Sequence, residues 1–158
     1  MDFDVHEWCA EFLRKMEGAF GGALVFAGLQ GSRGRGEAKD WSDIDLVVVL
    51  KELTPRELGL YAEVLASMPF AEKACGFICG EPELRAWSAS ELFLLYHDTT
   101  PLCGSLDFIA PLIDGGAAKK APKTEHARYT TAAAATGFTR RALTSLAFYI
   151  NQRFSQRA

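Results

Sequence analysis

The chain has no apolar run approaching the roughly 18 residues that a membrane-spanning helix needs. Its opening stretch, MDFDVHEWCAEF, is acidic and lacks the basic-then-apolar order of a secretory signal. A soluble, cytoplasmic protein is the expectation. Histidine is scarce. His6, His97 and His126 stand isolated in the sequence, which disfavours a histidine-centred metal site and leaves Ser32 without a nearby partner for hydrolase chemistry. The four cysteines, Cys9, Cys75, Cys79 and Cys103, match neither a zinc spacing nor a C-x-x-C redox pair. Each lies among apolar neighbours, and free cysteine packs as a small core residue. No G-K-[ST] occurs, so there is no P-loop, and GSRGRG lacks the G-x-G-x-x-G spacing of a dinucleotide fold. No internal repeat is present.

What remains is an ordinary globular composition, 49% hydrophobic and 23% charged over 158 residues, enough for about one domain with a small appendage. The net charge of −3 hides an asymmetry. Residues 1–114 carry nine Lys and Arg against nineteen Asp and Glu, a net −10, whereas residues 115–158 carry eight basic residues and one acid, Glu125, a net +7. Such a basic tail suits an acidic surface. Because it also carries an apolar stripe, docking on the chain's own body or on a protein partner ranks above nucleic acid.

The hydrophobic pattern sets the order of elements. Val5, Trp8, Cys9, Phe12, Leu13, Met16 and Phe20 recur at three- and four-residue steps, one face of a helix closed by glycines. ALVFAGL (23–29) and SDIDLVVVL (42–50) read as buried strands, the second β-branched and nearly continuous. Thr54, Pro55 and Glu57 open a second helix as a capping box, with Leu58, Tyr61, Leu65 and Met68 facing inward. ACGFICG (74–80) reads as a third strand. Ser88 and Glu91 form another capping box before LFLLYH, and SLDFIAPL (105–112) is expected to be a fourth strand ended by Pro111. DGGAAKKAPK (114–123) has linker composition. Beyond it Leu143, Leu146, Ala147, Ile150 and Phe154 mark a last amphipathic helix that needs a surface to cover its stripe. Trp8, Trp41 and Trp87 are packing candidates, with Trp41 alternatively lining a base pocket beside the aspartates.

The second strand opens on two carboxylates. Residues two apart on a strand share a face, so Asp43 and Asp45 point to one side and Ile44 to the other. Like charges this close repel, and desolvation raises the cost. A cation, a shared proton or solvent must relieve them. Magnesium suits such a pair because it takes oxygen ligands, commonly one or two carboxylates plus substrate phosphates. Two such ions can align a nucleophile and stabilise a leaving group. The preceding loop fits the same chemistry: Gly31 lets backbone approach a ligand, Ser32 adds a hydroxyl beside free N–H groups, and Arg33 and Arg35 can fork onto phosphate oxygens.

Gly31-Ser32, then residues 33–42, then Asp43-Ile44-Asp45-Leu46, resembles the signature of the DNA polymerase beta-like nucleotidyltransferase superfamily, a G-[GS] pair followed by D-h-[DE]-h, where h is hydrophobic. GSRGRGEAKDWSDIDL is also similar to the small stand-alone members, the minimal nucleotidyltransferases. The order of elements over residues 5–112 matches that family's core, and the motif itself covers 29–50. Gln30 departs from it, since an apolar or aromatic residue is usual there.

The resemblance implies an α+β (mixed α/β) nucleotidyltransferase fold, a small mixed β-sheet flanked by helices, over residues 1–113, with 114–158 as a basic linker and C-terminal helical extension. It implies that Gly31, Ser32 and Arg33 bind the nucleotide, that Asp43 and Asp45 are the catalytic metal ligands, and that one or two magnesium ions act with an NTP, ATP foremost. The activity implied is transfer of a nucleoside monophosphate to a small molecule or protein. A third carboxylate is expected on the next strand, but ACGFICG has none; Glu81, Asp98 and Asp107 are the candidates. The alternative is a catalytically weak or inactive family member that acts as an antitoxin-like protein and binds a helical partner, or a homo-oligomer formed through the C-terminal helix.

Overall fold

The computed structural model describes residues 4–39 and 42–114. Trp41, His126 and the expected helix around 143–154 therefore lie outside the described residues, as does the extension from 115 onward.

Helix α1 (Val5–Phe20) starts where the Asp4 carboxylate accepts the free N–H groups of His6 and Glu7, the first at 2.7 Å. It ends at Gly21, whose φ of 48° is a conformation that a side chain disfavours. Strand β1 (Leu24–Gln30) follows, then a single helical turn, α2 (Gly31–Gly34), and strand β2 (Ile44–Leu50). Helix α3 (Pro55–Ala66) begins with Pro55 in its first turn and Thr54 as cap, the Thr54 hydroxyl also donating to the Glu57 carboxylate. Strand β3 (Ala74–Gly80) occupies the span read from the sequence. Two short helices come next, α4 (Glu81–Arg85) and α5 (Ala89–Asp98), the latter opened by the complete Ser88–Glu91 capping box.

The fourth strand lies elsewhere than its sequence suggests. It is β4 (Thr100–Gly104), and residues 107–109 form a 3₁₀ turn leading into helix α6 (Ala110–Asp114). Pro101 argues against a strand only where its missing N–H would be needed. Here β4 pairs with β1 alone, at the sheet edge, so the missing donor is tolerated. Pro111 does not end a strand: it sits in the first turn of α6, where its fixed φ is compatible with helix.

The four strands form one mixed sheet in the order β3-β2-β1-β4. β1 runs antiparallel to both neighbours, whereas β2 and β3, joined through α3, are parallel. Alternation along the strands divides the core in two. Ala27, Leu29, Ile44, Leu46, Val48, Leu50 and Ile78 pack against α1 and α3, where Trp8, Phe12, Met16, Tyr61 and Val64 lie buried. Phe26, Val47, Val49 and Cys79 face Leu84, Leu92, Leu95, Leu106 and Ile109 on the other side. Each fully buried aliphatic side chain contributes about 1.5–3 kcal/mol. β2 is buried on both faces for this reason, and its six residues from Leu46 to Leu50 and Ile44 are almost inaccessible to solvent. The mixed sheet flanked by helices is the α+β architecture expected. No helix among the described residues is long and apolar enough to cross a membrane.

Candidate functional site

The site forms at one end of the sheet, where β1 finishes and β2 and β3 begin. Gln30, the last residue of β1, pairs with Asp45 across the antiparallel ladder. The chain turns immediately afterwards at Gly31, whose φ of 65° carries its backbone over the Asp45 carboxylate. A Cβ at this position would overlap Asp45 Oδ2, so the close approach requires glycine. The G-S motif and the D-x-D motif are thus brought into direct contact by strand pairing. Ser32 follows within the turn, half-buried, its carbonyl accepting the Glu37 N–H at 2.8 Å.

Asp43 immediately precedes β2 and Asp45 is its second residue; both are half-buried. Asp45 shares the sheet face of Val47 and Val49, whose apolar side chains are buried with Leu84, Leu92, Leu95 and Ile109. The strand therefore anchors Asp45 at its accessible end, with Asp43 just before it, by burying the rest of itself.

Arg33 is placed differently from a simple phosphate contact. Its Nε donates to the Asp43 carbonyl at 3.0 Å and its Nη2 to the Ser42 carbonyl at 2.7 Å. The guanidinium fork thus ties the glycine-rich turn to the approach of β2, fixing where Asp43 enters the strand. Arg33 also lies close enough to Cys9 to oppose, in part, the effect of burial, which pushes that thiol up to about 11. Arg35 is exposed and paired with Glu37 and Asp98, at 3.0 and 3.5 Å. The start of β4 buttresses the turn from the other side. The buried Thr99 hydroxyl accepts from Gln30 Nε2 at 2.9 Å and donates to the Leu95 carbonyl at 2.6 Å, and the Thr100 hydroxyl donates to the Gly34 carbonyl at 2.8 Å. Gln30, the departure from the family pattern, is thereby held by a polar partner of its own.

The three candidate acids go to different places. Glu81 follows Gly80, which pairs with Leu50 at the far end of β2, and it holds Arg85 at 2.7 Å. Asp107 lies beyond β4 and accepts from the Tyr96 hydroxyl at 3.2 Å. Asp98 is engaged by Arg35. A side chain that does reach Asp45 is Cys75. It pairs with Asp45 in the parallel ladder, and its Sγ donates to Asp45 Oδ1 at 2.6 Å. Composition gave no reason to separate Cys75 from the other three cysteines. Aligning ACGFICG with IDLVVVL from their first residues, as parallel neighbours, is the signal that would have found it.

The donor chemistry at the site fits a magnesium ion. Asp43, just before β2, and Asp45, within it, supply half-buried oxygen donors, and a nucleotide's phosphates would complete the coordination. Among the described residues no group of three His, Cys, Asp or Glu is arranged to hold a metal by itself.

The family described as the nucleotidyltransferase domain matches residues 7–85, which is half of the chain and includes both motifs and the strands that join them. The chain belongs to this family. The match begins in α1 and ends with α4, so this nucleotidyltransferase unit contains β1, β2, β3 and the α3 crossover. Two solved structures are similar in fold. One is a toxin–antitoxin complex with AMP-PNP, at 19% identity and a TM-score of 0.47; the other is a mutated form of the toxin–antitoxin pair MntA–HpeT, at 17% and 0.46. Each covers 68% of this chain, which in turn covers 82% of the matched chain. The comparison with curated proteins returns no match.

Proposed function

We propose that the chain is a metal-dependent nucleotidyltransferase that moves a nucleoside monophosphate from an NTP, ATP in the first instance, to a small molecule or a protein side chain. The observation that carries this reading is the contact of the Gly31 backbone with the Asp45 carboxylate, with Asp43 two residues before it at the mouth of β2. A loop that admits phosphates lies directly against the groups that hold their counter-ion.

In this reading Gly31 and Ser32 receive the triphosphate, and Arg33 braces the turn that carries them while its charge faces the same anion. Asp43 and Asp45 would hold the magnesium. When bound, the ion neutralises phosphate charge and favours in-line displacement. An acceptor oxygen forms a bond to the α-phosphorus as the bond from that phosphorus to the α,β-bridging oxygen breaks. Pyrophosphate leaves with the electron pair, and the acceptor's proton passes to solvent or a nearby carboxylate.

Calorimetric titration with ATP and magnesium, on wild type and on Asp43→Asn and Asp45→Asn, tests the site. Metal-dependent binding lost in both variants is the expected result; equal binding by all three proteins removes the assignment. Transfer from ATP labelled in its α-phosphate to candidate acceptors then tests the reaction.

A second reading has one observation in its favour. The side chain that reaches Asp45 from β3 is a thiol and not an acid. A weakly active or silent nucleotidyltransferase that binds a helical protein partner, as the apolar stripe at 143–154 suggests, would retain nucleotide binding without measurable transfer.

A further inference from the structure

We propose that Cys75 stands in the third donor position of the Asp43–Asp45 metal site, and that its neutral thiol limits the affinity of the protein for a hard divalent cation. This rests on the nucleotidyltransferase reading above. The position is set by the sheet. β2 and β3 are parallel and in unbroken register from Ile44 opposite Ala74 to Leu50 opposite Gly80. Asp45 and Cys75 therefore emerge side by side on one face, with Sγ 2.6 Å from Oδ1. A side chain of similar length at residue 75 addresses any ion held by that carboxylate oxygen.

Among the described residues Glu81, Asp98 and Asp107 do not take this role. Glu81 is separated from Cys75 by most of β3, about 16–20 Å of extended chain, and Asp107 and Asp98 are engaged by Tyr96 and Arg35. A carboxylate at residue 75 would contribute a negative charge and a hard oxygen. A thiol contributes neither; it is a weak donor and acceptor, soft rather than hard. Magnesium and manganese gain little from it. The wild-type site therefore depends on nucleotide phosphates to complete the coordination, and binds a hard cation weakly when nucleotide is absent.

The test is a titration of the full chain with Mn²⁺, following the free ion by electron paramagnetic resonance without nucleotide. Cys75→Asp is expected to tighten Mn²⁺ binding tenfold or more, whereas the near-isosteric neutral Cys75→Asn stays within threefold of wild type. Asp45→Asn should lose binding in either background. Cys75→Asp binding no tighter than wild type, in a protein whose thermal unfolding is intact, overturns the proposal. If instead Asp45→Asn leaves Mn²⁺ affinity unchanged, the metal site itself is wrongly placed and the parent reading fails too. A second measurement does not require Cys75→Asp to fold. Cd²⁺, a thiophilic ion, should give a cadmium–thiolate ultraviolet band with wild type that is lost in Cys75→Ser; a band of equal strength in that variant overturns the proposal.

Discussion

Gly31 and Asp45 are in contact although they are separated by a thirteen-residue connection that leaves one strand and enters the next: the Gly31 backbone covers Asp45 Oδ2 so closely that no Cβ fits between them. Two requirements meet at this glycine, the space and a φ of 65°. Gly31→Ala is expected to violate both. It should cost about 1–3 kcal/mol of stability and displace either the turn or the carboxylate. Nucleotide binding should fall much further than stability, because the displaced groups are those proposed to meet the phosphates and the metal. Urea unfolding and calorimetry with an ATP analogue and magnesium separate the two effects. A variant that binds like wild type would show that the contact does not position the site.

Arg33 couples the same turn to β2 from the other side. Its two hydrogen bonds to the Ser42 and Asp43 carbonyls are part-buried, and each bond from a charged donor contributes about 1.5–3 kcal/mol at most. Arg33→Ala should lower stability by about 1–3 kcal/mol and weaken nucleotide binding roughly tenfold, both through freer motion of Asp43 and through loss of a cation. Arg33→Lys keeps the charge but cannot fork onto two carbonyls. It should therefore recover part of the affinity and little of the rigidity. Hydrogen exchange across residues 31–46 reports the second quantity directly. Exchange unchanged in Arg33→Ala would contradict the bracing role.

Much of this arrangement was legible in the chain. β3 was read to the residue, α1 and α3 closely, and both caps at Thr54 and Ser88 were visible, because these elements declare themselves through periodicity and capping chemistry. The D-x-D pair at the mouth of an apolar strand was equally plain. Two things were not. β4 was missed because the apolar SLDFIAPL reads as the fourth strand while the short TPLCG has no clear alternation, and the edge position that tolerates its proline belongs to the topology. Cys75 was hidden because its neighbour Asp45 is thirty residues away, and only the parallel register of β2 and β3 brings them together. Local sequence carries local structure; which side chains a sheet sets side by side is decided by pairing.

The same pairing makes Gly76, next to Cys75, a sensitive position. Its φ is 109°, and a Cβ there would overlap the carbonyl oxygen of Leu46, its partner across the ladder. Gly76→Ala must either break the ladder locally or push β3 away from β2, at a cost on the order of 3 kcal/mol or more. The expected outcome is a large fall in the urea midpoint, or failure to accumulate folded protein. An unfolding free energy within about 0.5 kcal/mol of wild type, the range of neutral surface changes, would mean that the backbone adopts another conformation at this residue.

Alkaline pH should destabilise the fold through its buried acids. Burial raises the Cys9 thiol from an ordinary value of 9.0 to about 11, with Arg33 opposing the rise in part, and it raises the Cys79 thiol and the Tyr61 phenol in the same direction. The sign follows from where the proton is held more tightly. Below pH 9 the Cys9 thiol is protonated in both folded and unfolded chains, and its contribution is fully present. Between pH 9 and 11 the unfolded chain has released that proton while the folded chain still retains it, so unfolding is favoured progressively as pH rises. The two-unit difference corresponds to about 2–3 kcal/mol lost by pH 11 from Cys9 alone, with Cys79 and Tyr61 acting in the same sense. Urea unfolding at pH 7, 9 and 10.5 should show little change over the first interval and a clear fall over the second. Cys9→Val, which removes the titrating group but keeps an apolar side chain, should show a shallower fall. An equally steep decline in that variant would place the alkaline sensitivity elsewhere in the core.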